Sequence, residues 1–119
     1  MLPRKYRLSD GRELNNTVRS GTRFGCRNFV VSAVVHSSES SEPARFGFIV
    51  SKKVGNAVTR NLVKRRLREA AWKQLQDGFV GADVVVRALP SSAEADWGTL
   101  LKDLERGLRR VSGPDGNRA

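Results

Sequence analysis

The run Lys52-Lys53-Val54-Gly55-Asn56-Ala57-Val58-Thr59-Arg60-Asn61-Leu62-Val63-Lys64-Arg65-Arg66-Leu67-Arg68-Glu69 holds seven basic residues and one acid, its last member. Gly55-Asn56 is a turn signal, and asparagine is a favoured helix N-cap because its side chain takes up a backbone amide left without an intrahelical partner. From Ala57 the apolar spacing becomes helical and continues to about Gln76, where Asp77-Gly78 and Gly81 mark the exit. Before the run, residues 45–51 (Arg-Phe-Gly-Phe-Ile-Val-Ser) read as a strand. After it, residues 82–88 (Ala-Asp-Val-Val-Val-Arg-Ala) read as another. A long helix set between two strands points to a mixed α/β chain.

Working outward, Ser9 is a candidate N-cap for a first helix over residues 10–19, with Asp10 and Glu13 in its first turn and Leu14 and Val18 one turn apart. Gly21 stops it. Residues 27–36 are rich in β-branched side chains and form a strand, which the 37–44 loop joins to 45–51 as a hairpin. Beyond 82–88, Ser91 and Glu94 have capping-box spacing, and Trp97, Leu100, Leu101, Leu104, Leu108 and Val111 form the apolar stripe of a last helix. Residues 1–8 read as a basic, flexible lead-in and 112–119 as a frayed tail. No repeat or linker interrupts the pattern, so residues 1–119 are expected to form one domain. The order helix–strand–strand–helix–strand–helix predicts an α/β (α+β) two-layer sandwich, a small sheet with helices packed on it.

The 119 residues carry a net charge of +10, extreme for this size. Such self-repulsion opposes compaction and implies an anionic partner. The charge is concentrated: residues 45–73 hold nine basic residues and one acid, whereas residues 74–119 are close to neutral. One cysteine, Cys26, excludes an intrachain disulfide. No cleavable signal pattern opens the sequence, and no apolar run approaches the ~20 residues needed to span a bilayer. The expectation is a soluble cytoplasmic protein with no membrane partner and no obligate protein partner.

At about 100° per residue, Arg60, Asn61, Lys64, Arg65 and Arg68 share one arc of about 140°. Val63, Leu67, Ala70 and Ala71 form an apolar stripe beside it, and Arg66 stands apart on the other flank. A solvated helix face usually alternates sign, but no acid lies between Lys52 and Arg68. Like charges at i, i+4 destabilise by about 0.2–0.5 kcal/mol each, and Lys52, Lys53 and Arg60 sit near the positive end of the helix dipole. Phosphates reverse both penalties and suit the free amides after Asn56. Guanidinium groups add bidentate phosphate binding and stacking on bases. The face therefore predicts nucleic-acid binding, with DNA and RNA undistinguished.

Catalysis by the chain itself has little to draw on. His36 and Cys26 lack an orienting third group. The supply of ligands is too thin for zinc. Asp77 and Asp83 read as solubilising, turn-forming residues, and Trp72, Trp97 and Phe29 as core. A self-standing ribosomal or architectural nucleic-acid-binding protein is the alternative reading, although no long β-arm for a minor groove is visible.

The 52–69 run closely resembles the signature of the bacterial ribonuclease P protein component: an Arg-Asn-x-x-Lys-Arg-x-x-Arg helix after Lys-Lys-x-Gly-Asn-Ala-Val. Every fixed position is met. The similarity continues in Gly47-Phe48-Ile49-Val50-Ser51, in Arg4-Lys5-Tyr6-Arg7-Leu8 and in Ser20-Gly21-Thr22, spanning about residues 4–110. The resemblance implies a fold related to a ribosomal-protein domain, with a left-handed βαβ crossover holding the signature helix. It implies a partner, the catalytic RNA of ribonuclease P, which cleaves precursor tRNA at its 5′ end using Mg2+ ions, with no cofactor bound by the protein alone. By position, Lys52, Lys53, Asn56, Arg60, Asn61, Lys64, Arg65 and Arg68 are the implied RNA contacts, with Asn61 also a candidate for a metal ion held near phosphates. The family's cleft for the 5′ leader, between first helix and sheet, maps to Leu14, Val18 and Ser32. These stand where the family often has aromatics, leaving Phe24 and Phe29 as the nearest rings.

Overall fold

The computed structural model describes residues 2–36 and 42–112. Helix α1 (Gly11–Ser20) is followed by β1 (Thr22–Gly25), β2 (Phe29–Val35), β3 (Arg45–Ile49), α2 (Ala57–Gln76), β4 (Ala82–Ala88) and α3 (Trp97–Ser112). The strands form one sheet in the order β1-β2-β4-β3. β1 pairs antiparallel with β2, β2 antiparallel with β4, and β3 parallel with β4. Strand β3, helix α2 and strand β4 are thus a βαβ unit, with the long basic helix as its crossover.

Two expectations about the sheet are corrected. The chain has a strand more than its sequence suggested, the short β1, which is mostly exposed and has no alternating apolar pattern to reveal it. And β2 and β3 do not form a hairpin, because β4 lies between them. The reason lies in the composition of β4. Val84, Val85 and Val86 are consecutive and each no more than 1% exposed, so both faces of this strand are covered and its place is in the middle.

Alternation along the strands defines two faces. Phe29, Val31, Ala33, Phe46, Val84 and Val86 enter the main core. On it lie α2, through Val63, Leu67, Ala70 and Ala71, and α3, through Leu100, Leu104, Leu108 and Val111. Gly107 lets α3 approach closely, since a Cβ there would sit 3.1 Å from Val31. Trp97 heads the α3 stripe but is 38% exposed rather than core, lying at the first residue of the helix, where the stripe begins. Trp72 is partly buried and packs against Tyr6 with ring centroids 5.8 Å apart.

Helix α1 lies across the opposite face. Leu14 sits directly on Gly47, where any side chain would collide with it. The cap of α1 is Asp10 rather than Ser9, its carboxylate accepting from the Arg12 amide at 2.8 Å. The expected lead-in is not free over residues 2–8: Leu2 and Leu8 are buried, and the Leu8 amide donates to the Phe46 carbonyl, covering the β3 edge. The tail at 113–119 lies outside the described residues. Ser91 is not the cap of α3. Its hydroxyl donates to the Arg27 carbonyl and approaches Asn28 Oδ1, while Asp96 accepts from the Thr99 amide at 2.7 Å and opens the helix.

Candidate nucleic-acid interface

A tight turn over residues 51–56 brings the chain from β3 into α2. The Val54 amide donates to the Ser51 carbonyl and the Lys53 amide to Ser51 Oγ, which leaves Lys52 and Lys53 exposed at the bend. Asn56 then accepts from the Thr59 amide at 2.9 Å, as an N-cap should. The first turn of α2 contains no acid. Two lysines and an uncompensated helix N-terminus therefore meet at one point, where positive charge from side chains and backbone adds.

Along α2 the charged arc emerges as the periodicity requires. Asn61, Arg65 and Arg68 are exposed, and Arg60 and Lys64 are half-buried beside the apolar stripe. Among the described residues none of Lys52, Lys53, Arg60, Lys64, Arg65 and Arg68 makes a salt bridge or side-chain hydrogen bond. Arg60 Nε is buried without a hydrogen-bond partner. Arg66, on the other flank, is tied down: its guanidinium donates to the Ala95 carbonyl at 2.9 Å, fixing α2 to the segment before α3. The two classes of arginine on one helix are thus a free set on one face and a structural one on the other.

A cavity of about 630 Å³ runs between α1, the β3 edge and α2. Its apolar wall includes Leu14 and Phe48, and its cationic wall includes Lys64, Arg65 and Arg68. Of the residues assigned by position to a leader cleft, Leu14 lines this cavity, whereas Val18 and Ser32 do not, and Ser32 is only 3% exposed. Sequence reading missed Arg7, Phe46, Phe48 and Glu69 on the same walls. Only their apposition in space gathers them, since they come from three separate segments.

A separate ion cluster ties α1 to the sheet. Arg45 grips Asp83 through Nε at 3.0 Å and Nη2 at 2.9 Å, and reaches Glu13 of α1 at 2.7 Å. The hydrogen bonds to Asp83 first, then to Glu13, hold the Arg45 guanidinium more firmly protonated than usual. His36 Nε2 lies 3.3 Å from the same Asp83. Asp83 is therefore the hub of an ion cluster within β4, not a turn residue. Cys26 lies at the other end of β2, its thiol donating to the Phe29 carbonyl and its pKa raised chiefly by burial, so it forms no dyad with His36. Among the described residues no three His, Cys, Asp or Glu side chains gather as metal ligands. Asn61 offers one neutral oxygen among cations, which does not fit a divalent ion on protein ligands alone. Among the described residues no helix is long and apolar enough to cross a membrane.

Comparison with known proteins gives this geometry its context. The family model described as Ribonuclease P matches residues 2–112. A ribonuclease P protein component from Arthrobacter sp. (strain FB24) is 50% identical over 117 residues, covering 95% of this chain and 85% of the relative. One from Nocardioides sp. (strain ATCC BAA-499 / JS614) is 47% identical, covering 93% and 95%. Among solved structures, the RNase P protein of Staphylococcus aureus superposes with a TM-score of 0.74 at 30% identity, covering 87% of this chain and 93% of that one. The RNase P protein of Thermotoga maritima superposes at 0.76 and 27%, covering 90% and 98%. With its signature helix intact and the match running from Leu2 to Ser112, the chain belongs to the ribonuclease P protein family, whose role is the 5′ processing of tRNA.

Proposed function

We propose that this chain is the RNA-binding subunit of a cytoplasmic ribonucleoprotein in which the RNA performs the cleavage. Lys52, Lys53, Asn56, Arg60, Asn61, Lys64, Arg65 and Arg68 contact the ribonuclease P RNA. The space between α1 and the sheet receives the 5′ leader of precursor tRNA. The observation that carries this reading is the α2 face with its preceding turn: six cations without an anionic partner among the described residues, running from the helix N-terminus along one face. Each phosphate docked there releases counterions and relieves like-charge repulsion within the protein.

The chain's contribution is positioning and charge neutralisation. Guanidinium forks at Arg60, Arg65 and Arg68 fit phosphate oxygens in pairs. The Asn61 carboxamide, exposed between them, suits a sugar or base edge. The Mg2+ ions of the reaction are assigned to the RNA and its phosphates, since the protein offers no cluster of anionic ligands among its described residues.

Reconstitution with a bacterial ribonuclease P RNA tests the proposal. Protein alone should leave precursor tRNA intact, and the mixture should cleave at lower Mg2+ than the RNA alone. Cleavage by the protein alone would return the chemistry to this chain, and a mixture no better than the RNA would remove its assigned role.

A further inference from the structure

Helix α1 is held to the sheet by little apolar burial, for of its ten residues only Thr17 is buried. Its two ends are nonetheless fixed. Before it, the Leu8 amide donates to the Phe46 carbonyl of β3. After it, the Gly21 amide donates to the Thr17 carbonyl, and a Cβ at Gly21 would sit 2.7 Å from the Ala33 carbonyl oxygen of β2. A helix pinned at both ends keeps one freedom, rotation about its own axis. With Glu13 at zero, Thr17, Leu14 and Val18 fall at about 40°, 100° and 140°, so the arc facing the sheet begins at Glu13. There Arg45 joins it: Nη2 lies 2.7 Å from Glu13 Oε2, and the same guanidinium holds both Asp83 oxygens through Nε at 3.0 Å and Nη2 at 2.9 Å. His36 Nε2, 3.3 Å from Asp83 Oδ1, braces that carboxylate from the end of β2. The clamp acts at one end of the sheet face only, since Arg87, further along β4, is exposed.

We propose that Arg45 is a positioning residue for the RNA substrate: by joining Asp83 to Glu13 it sets the roll of α1, and with it the placement of Leu14 against the cationic wall of α2. The proposal rests on the leader reading above, and it concerns what holds the helix rather than which residues touch RNA. Two observations carry it. Leu14, the residue after Glu13, is seated on Gly47 and lines the cavity of about 630 Å³ together with Lys64, Arg65 and Arg68, so any roll of α1 moves the apolar wall relative to the charged one. And Glu13 is an acid, 46% exposed, beside a space assigned to a polyanion. Electrostatics alone makes it a cost to binding there, whereas its bond to Arg45 gives it a mechanical use. A guanidinium suits the task, because its rigid fork engages two carboxylates in a fixed geometry that a lysine ammonium does not impose.

The test uses the reconstituted holoenzyme and precursor tRNAs bearing either a long 5′ leader or one trimmed to a single nucleotide. Wild type should bind the long-leader substrate more tightly. Glu13→Ala should weaken long-leader binding by about two- to fivefold, the range open to a half-exposed pair, leave the short-leader substrate unchanged, and speed hydrogen exchange of the α1 amides. Glu13→Gln removes the same charge but keeps an acceptor for Arg45, so it should recover part of the loss. Arg45→Lys, which keeps a charge on Asp83 without the fork, should match Glu13→Ala, and the two together should lose no more than either alone. Equal wild-type affinity for the two substrates overturns the leader reading itself. With the wild-type preference present, long-leader binding that Glu13→Ala leaves unchanged or tightens overturns the role of Arg45 alone, tightening being what charge without positioning predicts. Affinity lost with α1 exchange unchanged overturns it as well, since Glu13 would then act on the RNA directly. Unchanged affinity of Glu13→Ala for the ribonuclease P RNA verifies that the variant is folded.

Discussion

Helices α2 and α3 lie side by side on one sheet face and bury their apolar stripes equally well, yet they are completed electrostatically in opposite ways. In α3 an aspartate caps the N-terminus, Asp103 pairs with Arg106, and Arg109 and Arg110 stand at the C-terminal end, where the dipole favours cations. In α2 a neutral asparagine is the cap, no acid occupies the first turn, and the exposed face carries cations without partners among the described residues. Burial is thus sufficient to hold either helix in place. What differs is that α3 is balanced within the protein, while α2 is balanced only when something anionic arrives.

The contrast can be broken most severely at the core. Leu104→Ala in α3, at a site 0% exposed, should cost about 2–5 kcal/mol in urea unfolding. RNA affinity per folded molecule should be unaltered, and a large loss of affinity would mean that α3 takes part in binding. The reverse pattern is expected of the double variant Arg60→Ala, Arg68→Ala. Its salt slope for RNA binding should flatten by about one unit per lost phosphate contact. Stability should hold or rise by about 0.2–0.5 kcal/mol for each like-charge i, i+4 pair removed. A fall in stability comparable to that of Leu104→Ala would show those arginines to be structural.

Smaller effects sharpen the same comparison. Asn56→Ala should cost about 1 kcal/mol through loss of the cap. Asn56→Asp, giving α2 the kind of cap α3 has, should instead stabilise the free protein by about 0.3–1 kcal/mol while weakening RNA binding. If both properties improve together, the N-terminus of α2 is not an anion site. The smallest effect belongs to pH. Hydrogen bonds from the Thr99 amide, then its hydroxyl, lower the pKa of Asp96. Its contribution is therefore fully present above the unfolded value of about 3.9 and is lost as pH falls through the lower folded value. Asp96→Asn should reduce the acid-range slope of stability, whereas no such term arises from the neutral cap of α2.

What could be read from the chain, and what could not, divides along the range of the interactions involved. The α2 stripe of Val63, Leu67, Ala70 and Ala71, the Asn56 cap and the separateness of Arg66 were all legible, because each follows from residues within a turn or two of each other. The Ser91–Glu94 capping box misled for the same reason: the spacing was right, but Asn28 and the Arg27 carbonyl, more than sixty residues away, engage Ser91 instead. Strand β1 carried no periodic signal, and the expected β2–β3 hairpin assumed that neighbours in sequence are neighbours in space. The exposure of Arg87 in β4 was half visible, since the alternation Asp83, Val85, Arg87 sets that arginine on one face. Which part of the face α1 covers was not.

The sequence by itself determined a mixed α/β chain, a basic helix with its cations on one arc, and membership of a family through an uninterrupted signature. These depend on composition and on the 3.6-residue period, which are local. Only the tertiary structure decided that β4 lies between β2 and β3, that Leu2 and Leu8 close the β3 edge, and that α1 clamps one end of the sheet face through Glu13, Arg45 and Asp83 while leaving Arg87 open. Those outcomes depend on pairing and packing between distant segments, where buried area and hydrogen-bond register, rather than local pattern, select the arrangement.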